Sequence, residues 1–356
     1  MISASSQILA IDIGATSSKG LLSDFQGEEL ATAESIGFNL RQCGVDRFQR
    51  LYDNLASQLL EQIRGNLAGM EALVIGIAGG GNKESREFIK KSIKSRLPNT
   101  KVMIHHDAFI AHYGAFSGGT GVTVTAGTGS IGFGKNDIGV EARSGGWGWM
   151  LGDDGSGWWI SREAIRAVLA TEENGPATAL HPAILKAMDI TKPYDLLDII
   201  YREKFDRSKI TSLSELVSSK AGEGDTIAIS ILFRAGIELG KLAISVARQL
   251  RMPPEKLYVA VLGSVGVGGG KPVQDGIEKA LKEYSTEFKH DVKSSDNNND
   301  EDSSSENNPL PTMPEYPPSN LSVEIPPGPA CVVPHMDAIH GAVLWARDTL
   351  LKQSFA

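Results

Sequence analysis

The chain has 356 residues, 41% of them hydrophobic and 22% charged, which describes a globular protein long enough for two lobes with separate cores. Its formal net charge of −8 leaves no basic footprint for a nucleic-acid backbone or an anionic membrane. Only two cysteines occur, Cys43 and Cys331, far apart and with no CxxC partner, which argues against a disulfide framework, a zinc site or a cysteine-ligated cluster.

The stretch MISASSQILAIDIG lacks a basic segment, and its apolar run is too short for a secretory signal. No apolar run reaches membrane-spanning length, so the cytoplasm is the expected location. QILAIDIG, SKGLLSDF and EELATAESIGF predict three short strands separated by turn residues. Phe48, Leu51, Tyr52, Leu55, Leu59 and Ile63 then recur at helical spacing. ALVIGIAGG predicts a buried strand, KESREFIKKSIKSRL an amphipathic helix and KVMIHHD another strand. Strands followed by alternating helix and strand give an α/β lobe over 1–117.

A second unit, 118–356, begins with the same device, GVTVTAGTGSIGFGK. Helices are expected at SREAIRAVLA and DTIAISILFRAGIELGKLAISVARQLRM, and a strand at KLYVAVLGSVG. Residues 291–320 are almost entirely Asn, Ser, Asp, Glu and Pro, with too little apolar surface to offset ordering, and are expected to form a disordered surface insertion. ACVVPHMDAIHGAVLWARDTLL then predicts a strand leading into a closing helix that packs back on the first lobe.

Two hairpins carry the chemistry. In ILAIDIGATSSKGLL, Gly14, Ala15, Thr16, Ser17 and Ser18 sit between strands; in VTVTAGTGSIGFG, Gly127, Thr128, Gly129 and Ser130 do the same. Glycine lets backbone approach an anion, and threonine or serine hydroxyls add donors, so two such turns at the heads of two lobes suit a polyphosphate clamp. A dinucleotide fingerprint is excluded because strands lie on both sides of each turn. VGVGGGKP fails as a P-loop because Val265 replaces its first glycine and Pro272 its Ser or Thr. Asp12 ends an apolar strand beside the first turn, a place where a carboxylate holds Mg²⁺. Asp107 ends another strand and opens a helix, which suits an N-cap and a proton acceptor equally. His105 and His106 are successive strand residues that face opposite ways, so structural roles are expected of them rather than shared metal ligation.

Gly145 to Ser161, GGWGWMLGDDGSGWWIS, mixes glycines and tryptophans around Asp153 and Asp154. Taken with AIDIGATSSKG, HHDA, TAGTGSIG, VLGSVG and HGAVLWAR in that order, the chain resembles the BadF/BadG/BcrA/BcrD group of the actin-like ATPase/sugar kinase superfamily, and within it the N-acetylglucosamine kinases. The resemblance covers the chain except 291–320. It implies two ribonuclease-H-like lobes with a cleft between them.

It also implies a sugar site of Asn39, Asp107, Gly145, Gly146, Trp147 and Asp153, with Asp107 as catalytic base. Trp158 and Trp159 are expected in the core of the following helix. Gly14, Thr16, Ser17, Gly127, Thr128 and Gly129 would meet the ATP phosphates, Gly263 and Ser264 the adenosine side, and Asp12 the Mg²⁺. Ser17 stands where that family often has Lys or Arg, and Ala78 to Asn82 (AGGGN) carries one more glycine than its counterpart. The implied function is ATP-dependent phosphorylation of N-acetylglucosamine at its 6-hydroxyl, in a protein whose partners are sugar and ATP and whose candidate assembly is a homodimer. Alternatives are a glucosamine or other hexose kinase, an ATPase that activates a reductase partner, and a non-catalytic sugar-responsive regulator. The second of these needs cluster-binding cysteines, and neither Cys43 nor Cys331 has that setting.

Overall fold

The computed structural model describes residues 6–63, 70–201, 206–296 and 329–354. β1 (Gln7–Ile13), β2 (Ser17–Asp24) and β3 (Glu29–Ile36) run as an antiparallel meander. α1 (Leu40–Ile63) crosses to β4 (Met70–Ile77), and α2 (Lys83–Arg96) crosses to β5 (Lys101–His106), both strands lying parallel to β1. Parallel neighbours require such crossovers, and the sheet order is β3-β2-β1-β4-β5. α3 (Asp107–Phe116) leaves β5 directly.

β1 is apolar without alternation because both of its faces are covered. Leu9, Ile11 and Ile13 pack with Leu55 and Leu59 of α1 and Ile89 and Ile93 of α2. Ile8 and Ala10 point the other way, toward Ile110, Ile339, Ala342 and Val343. Each fully buried Leu or Ile contributes about 1.5–3 kcal/mol. Period-two geometry therefore puts Asp12 on the face of Ile8 and Ala10, at the end where β1 meets its turn.

The second sheet repeats the first. β6 (Gly121–Ala126), β7 (Ser130–Lys135) and β8 (Glu141–Gly145) form its meander. α4 (Gly157–Glu172), α5 (Leu180–Met188), α6 (Asp195–Ile200), α7 (Arg207–Thr211), α8 (Leu213–Gly222) and α9 (Thr226–Gln249) precede β9 (Tyr258–Leu262). α10 (Ser264–Gly268) and α11 (Gly270–Asp296) precede β10 (Ala330–Val332), and the order is β10-β9-β6-β7-β8. Val122 and Val124 join Trp158, Trp159 and Leu239 in its core. α9 and α11 meet backbone to backbone, since a Cβ at Gly236 would strike the Val273 carbonyl and one at Gly276 the Phe233 carbonyl.

Three expectations shift. The strand expected to reach Gly266 stops at Leu262, because Gly263 takes φ 89° and Ser264 opens α10. The short helices α6 and α7 lie where no periodic run was long enough to show them. The insertion expected to begin at 291 is helical through Asp296, since the long amphipathic α11 propagates into polar residues that contain no breaker. The rest of that insertion, 297–320, lies outside the described residues.

After β10 the chain returns to the first sheet, where α12 (Ala338–Ser354) buries Ile339, Ala342, Val343 and Ala346 beside α3. The helices meet closely at Gly114 and Gly341: a Cβ on Gly341 would strike the Gly114 backbone nitrogen, and one on Gly114 the Asp337 carbonyl. The two passages between the sheets are tied together: His335 N–H donates to the Ala115 carbonyl at 3.3 Å, and Met336 N–H to that of Gly114 at 3.0 Å.

Candidate active site between the two lobes

Ile13 pairs with Ser18 and Ala126 with Ser130, so the two turns are Gly14–Ala15–Thr16–Ser17 and Gly127–Thr128–Gly129. They face one another: the Thr16 and Thr128 hydroxyl oxygens lie 2.8 Å apart. Gly14 N–H donates to the Ser17 carbonyl at 3.0 Å, and Gly127 N–H to that of Gly129 at the same distance. Gly37 backs the first turn, its N–H on the Thr16 carbonyl at 2.9 Å.

Neither turn owes its glycines to a left-handed backbone; none of Gly14, Gly127 and Gly129 has positive φ. Gly129 is needed for space, because a Cβ there would come within 2.7 Å of Asp153 Oδ2. Gly263 is wedged against the Ala126 carbonyl, and Ser264 Oγ lies 3.9 Å from a Cβ built on Gly127. Ser17 and Lys19 are exposed on β2, Lys19 reaching Glu34 at 4.0 Å.

Asp12 is half-buried at the end of β1. Burial first, then the charges of Asp107 and Asp337, push its carboxyl up to about 7, with Lys19 pulling the other way. Asp107 is half-buried too, and burial raises its carboxyl, opposed by the Ala108 N–H that donates to Oδ1 at 2.9 Å. The N-cap reading of Asp107 is corrected: Asp107 is the first helical residue of α3, and the cap is His106, whose Nδ1 accepts the Phe109 N–H at 3.0 Å.

His105 and His106 touch at 4.4 Å between centroids, closer than strand alternation implies, because His106 stands at the strand–helix junction. Burial lowers His105 to about 4 and His106 to about 3. Both rings are neutral packing elements.

The block from Gly145 to Ser156 wraps under the second turn. Gly145, Gly146 and Gly148 take φ of 73°, 69° and 88°, which favours glycine. Gly146 N–H donates to the Ser130 carbonyl at 3.0 Å. Asp153 is buried at φ 59°, a left-handed conformation that costs a non-glycine residue about 1–3 kcal/mol. Its Oδ1 accepts the Ser130 N–H at 3.3 Å, and burial raises its carboxyl against that bond and the charge of Arg207.

Asp154 is exposed, its carbonyl held by Ser130 Oγ at 2.7 Å. Ser156 caps α4, and Gly157 N–H returns to the Gly127 carbonyl at 2.8 Å. Trp147 is 62% exposed under the Arg143 guanidinium, whereas Trp158 and Trp159 are core. Asn39 precedes α1, and the next residue ties it to the AGGGN segment through Leu40 N–H on the Ala78 carbonyl at 2.9 Å. Asn82 within that segment caps α2.

Sequence reasoning missed Asp337 and Arg207 near these acids. Asp337 was legible as a cap, an acid just before an apolar-periodic run; its Oδ1 accepts the His340 N–H at 3.1 Å. Arg207 follows no motif and carried no signal.

A Mg²⁺ ion shared with phosphates needs only one or two protein carboxylates. Asp12 fits that demand: a half-buried acid at a turn of backbone N–H groups, with the charges of two more acids raising it. Among the described residues, no group of three or more His, Cys, Asp and Glu side chains could hold a metal alone. No helix among them is long and apolar enough to cross a membrane.

The chain is similar to the N-acetylmuramic acid/N-acetylglucosamine kinase of Clostridium acetobutylicum, 31% identical over 72% of this chain and 85% of that protein. It is also similar to the N-acetyl-D-glucosamine kinase of Dictyostelium discoideum, 29% identical over 77% of this chain and 90% of the relative. Its fold matches the crystal structure of a candidate N-acetylglucosamine kinase from Chromobacterium violaceum, with TM-score 0.66, 22% identity and coverage of 95% and 98% of the two chains. The two mixed five-stranded sheets are thus the two-lobe arrangement of actin-like ATPases and sugar kinases. The model of the BadF/BadG/BcrA/BcrD ATPase family matches residues 9–294, and the chain belongs to that family.

Proposed function

We propose that the protein transfers the γ-phosphoryl group of ATP to the 6-hydroxyl of an amino sugar, N-acetylglucosamine foremost. The observation that carries this reading is the meeting of Thr16 and Thr128 across the lobes, with two half-buried acids of raised carboxyl, Asp12 and Asp107, at the ends of β1 and β5. Both similar kinases named above act on an N-acetylated sugar.

In this reading Asp107 takes the proton from the sugar hydroxyl. Its raised carboxyl makes it a stronger base than an exposed aspartate, as such catalysis requires. The turns at Gly14–Ser17 and Gly127–Gly129 hold the phosphates through N–H and hydroxyl donors, with Gly263 and Ser264 on the adenosine side. Asp12 would hold a Mg²⁺ ion, which supplies charge neutralisation at the transferring phosphates. Asn39, Gly145, Gly146, Trp147 and Asp153 would shape the sugar pocket. Positioning and electrostatics supply most of the rate in such a transfer.

The test is ADP release and sugar-phosphate formation across N-acetylglucosamine, N-acetylmuramic acid, glucosamine and glucose. The expected result is the highest kcat/KM for N-acetylglucosamine. Preference for glucosamine or glucose would leave a hexose kinase of other specificity, and ATP hydrolysis indifferent to every sugar would overturn the kinase reading.

A further inference from the structure

The residue before Asp107 does a job that Asp107 would otherwise take. α3 begins at Asp107, and its first-turn N–H groups need acceptors. His106, extended at φ −72° and ψ 155°, turns Nδ1 onto the Phe109 N–H. Asp107 stays inside the helix with its own Oδ1 on the adjacent Ala108 N–H. Aspartate is among the strongest capping residues, so an uncapped α3 would restart one residue later with the Asp107 carboxylate drawn over its own first turn.

The capping ring also reaches the other lobe. It lies edge to face with Phe133, centroids 4.9 Å apart, and Phe133 is buried in β7, the strand that leaves the second turn. Phe109 and His112 of α3 flank the same Phe133 ring at 6.0 and 5.3 Å. The acceptor must be the neutral ring, because an imidazolium has only donors. Burial first, then the nearby guanidinium charges of Arg86 and Arg143, lower His106 to about 3, so the ring is neutral near pH 7.

We infer that His106 is a positioning residue: by capping α3 and resting on Phe133, it keeps Asp107 from becoming the cap and fixes its carboxylate relative to the second turn. The inference rests on Asp107 being the base of the proposed kinase.

The test compares variants of the full chain with the best sugar from the panel above. His106→Ala should lower kcat about 10- to 100-fold, the scale of a small misplacement of a catalytic group, with both KM values within a few-fold. His106→Asn, whose side-chain oxygen can accept the same N–H, should recover most of the rate. Asp225→Ala uncaps α9, where Asp225 accepts the Ala228 N–H at 2.8 Å, and should lower the Tm while leaving kcat unchanged. If His106→Ala does not fold, His106→Gln replaces it with the same expectation. A wild-type kcat in the uncapped variant, or a loss that His106→Asn does not restore, overturns the inference. A wild-type protein that phosphorylates no sugar overturns the kinase reading instead, and that result precedes any variant.

Discussion

Thr16 and Thr128, 112 residues apart in sequence, bring their hydroxyl oxygens to 2.8 Å. Each belongs to a turn heading a separate five-stranded sheet, so this bond spans the cleft between the lobes. In the proposed kinase, a triphosphate entering between the turns would exchange it for bonds of each hydroxyl to phosphate oxygens. Thr128→Val and Thr16→Val keep the volume and remove the hydroxyl. A hydrogen bond to a charged group contributes about 1.5–3 kcal/mol, so either change should raise the KM of ATP by roughly ten- to a hundred-fold. The sugar KM should move only a few-fold. Steady-state kinetics with each substrate varied in turn checks this, and an equal rise in both would place the threonines outside the phosphate site.

Asp107→Asn should lower kcat by roughly 10²–10⁴ while sugar and ATP still bind within a few-fold. Calorimetric titration of each ligand separates binding from chemistry. Retention of the wild-type kcat would leave Asp107 as a helix residue with no part in proton transfer.

Asp12 sets a pH dependence whose sign follows from its raised carboxyl. The folded chain holds a proton there up to about pH 7, whereas the unfolded chain releases it near the ordinary value of 3.8. Between those values the folded state binds more protons, so this group makes the ligand-free protein less stable as pH rises from about 4 to 7. Asp12→Asn should therefore raise the Tm of the free protein at pH 8 and change it little at pH 4. The same substitution should abolish phosphoryl transfer if the carboxylate holds Mg²⁺. Thermal unfolding of both proteins across that range is the measurement, and equal Tm values at pH 8 would contradict the assignment.

The second turn depends on a small residue meeting a carboxylate. Gly129→Ala would press a methyl group against Asp153 Oδ2 at 2.7 Å and should cost about 1–3 kcal/mol, as overpacking does. Asp153→Ala relieves that clash but orphans the Ser130 N–H, a loss of similar size. The double variant should then be more stable than the two single losses added together. Denaturant unfolding of the four proteins gives the coupling, and simple additivity would refute the contact. Asp153→Ala should also raise the sugar KM by roughly 10- to 100-fold if its carboxylate reads sugar hydroxyls.

The fold was legible where side-chain pattern and backbone agree. The apolar run of β1 announced a strand, and the structure adds that both of its faces are covered, Leu9 and Ala10 entering different cores. The paired turns were legible because strand, glycine, threonine, strand is a local code. What stayed hidden depends on chain conformation that residue type does not dictate. Asp153 is left-handed at φ 59°; aspartate tolerates that region better than most non-glycine residues, but nothing in the sequence says which of Asp153 and Asp154 adopts it. His106 was read as a strand residue, and only the abrupt passage from β5 to α3 makes it the cap. Gly145 and Gly146 were expected only as part of the sugar site; their positive φ supplies a backbone reason for glycine at those positions.

The return of α12 to the first sheet has a consequence for how the protein is made. Ile8, Ala10, Leu21, Ala72 and Val74 are synthesised early, yet the helix that covers them with Ile339, Ala342 and Val343 emerges only after the whole second sheet. Until then the nascent first lobe has that face covered only in part, by Ile110 and Phe109 of α3. Contacts of such long sequence separation slow folding, and an exposed face of this kind is what holding chaperones bind. A chain ending before Ala338 would therefore be expected to partition into aggregates even though every residue of the proposed catalytic cleft had already been translated.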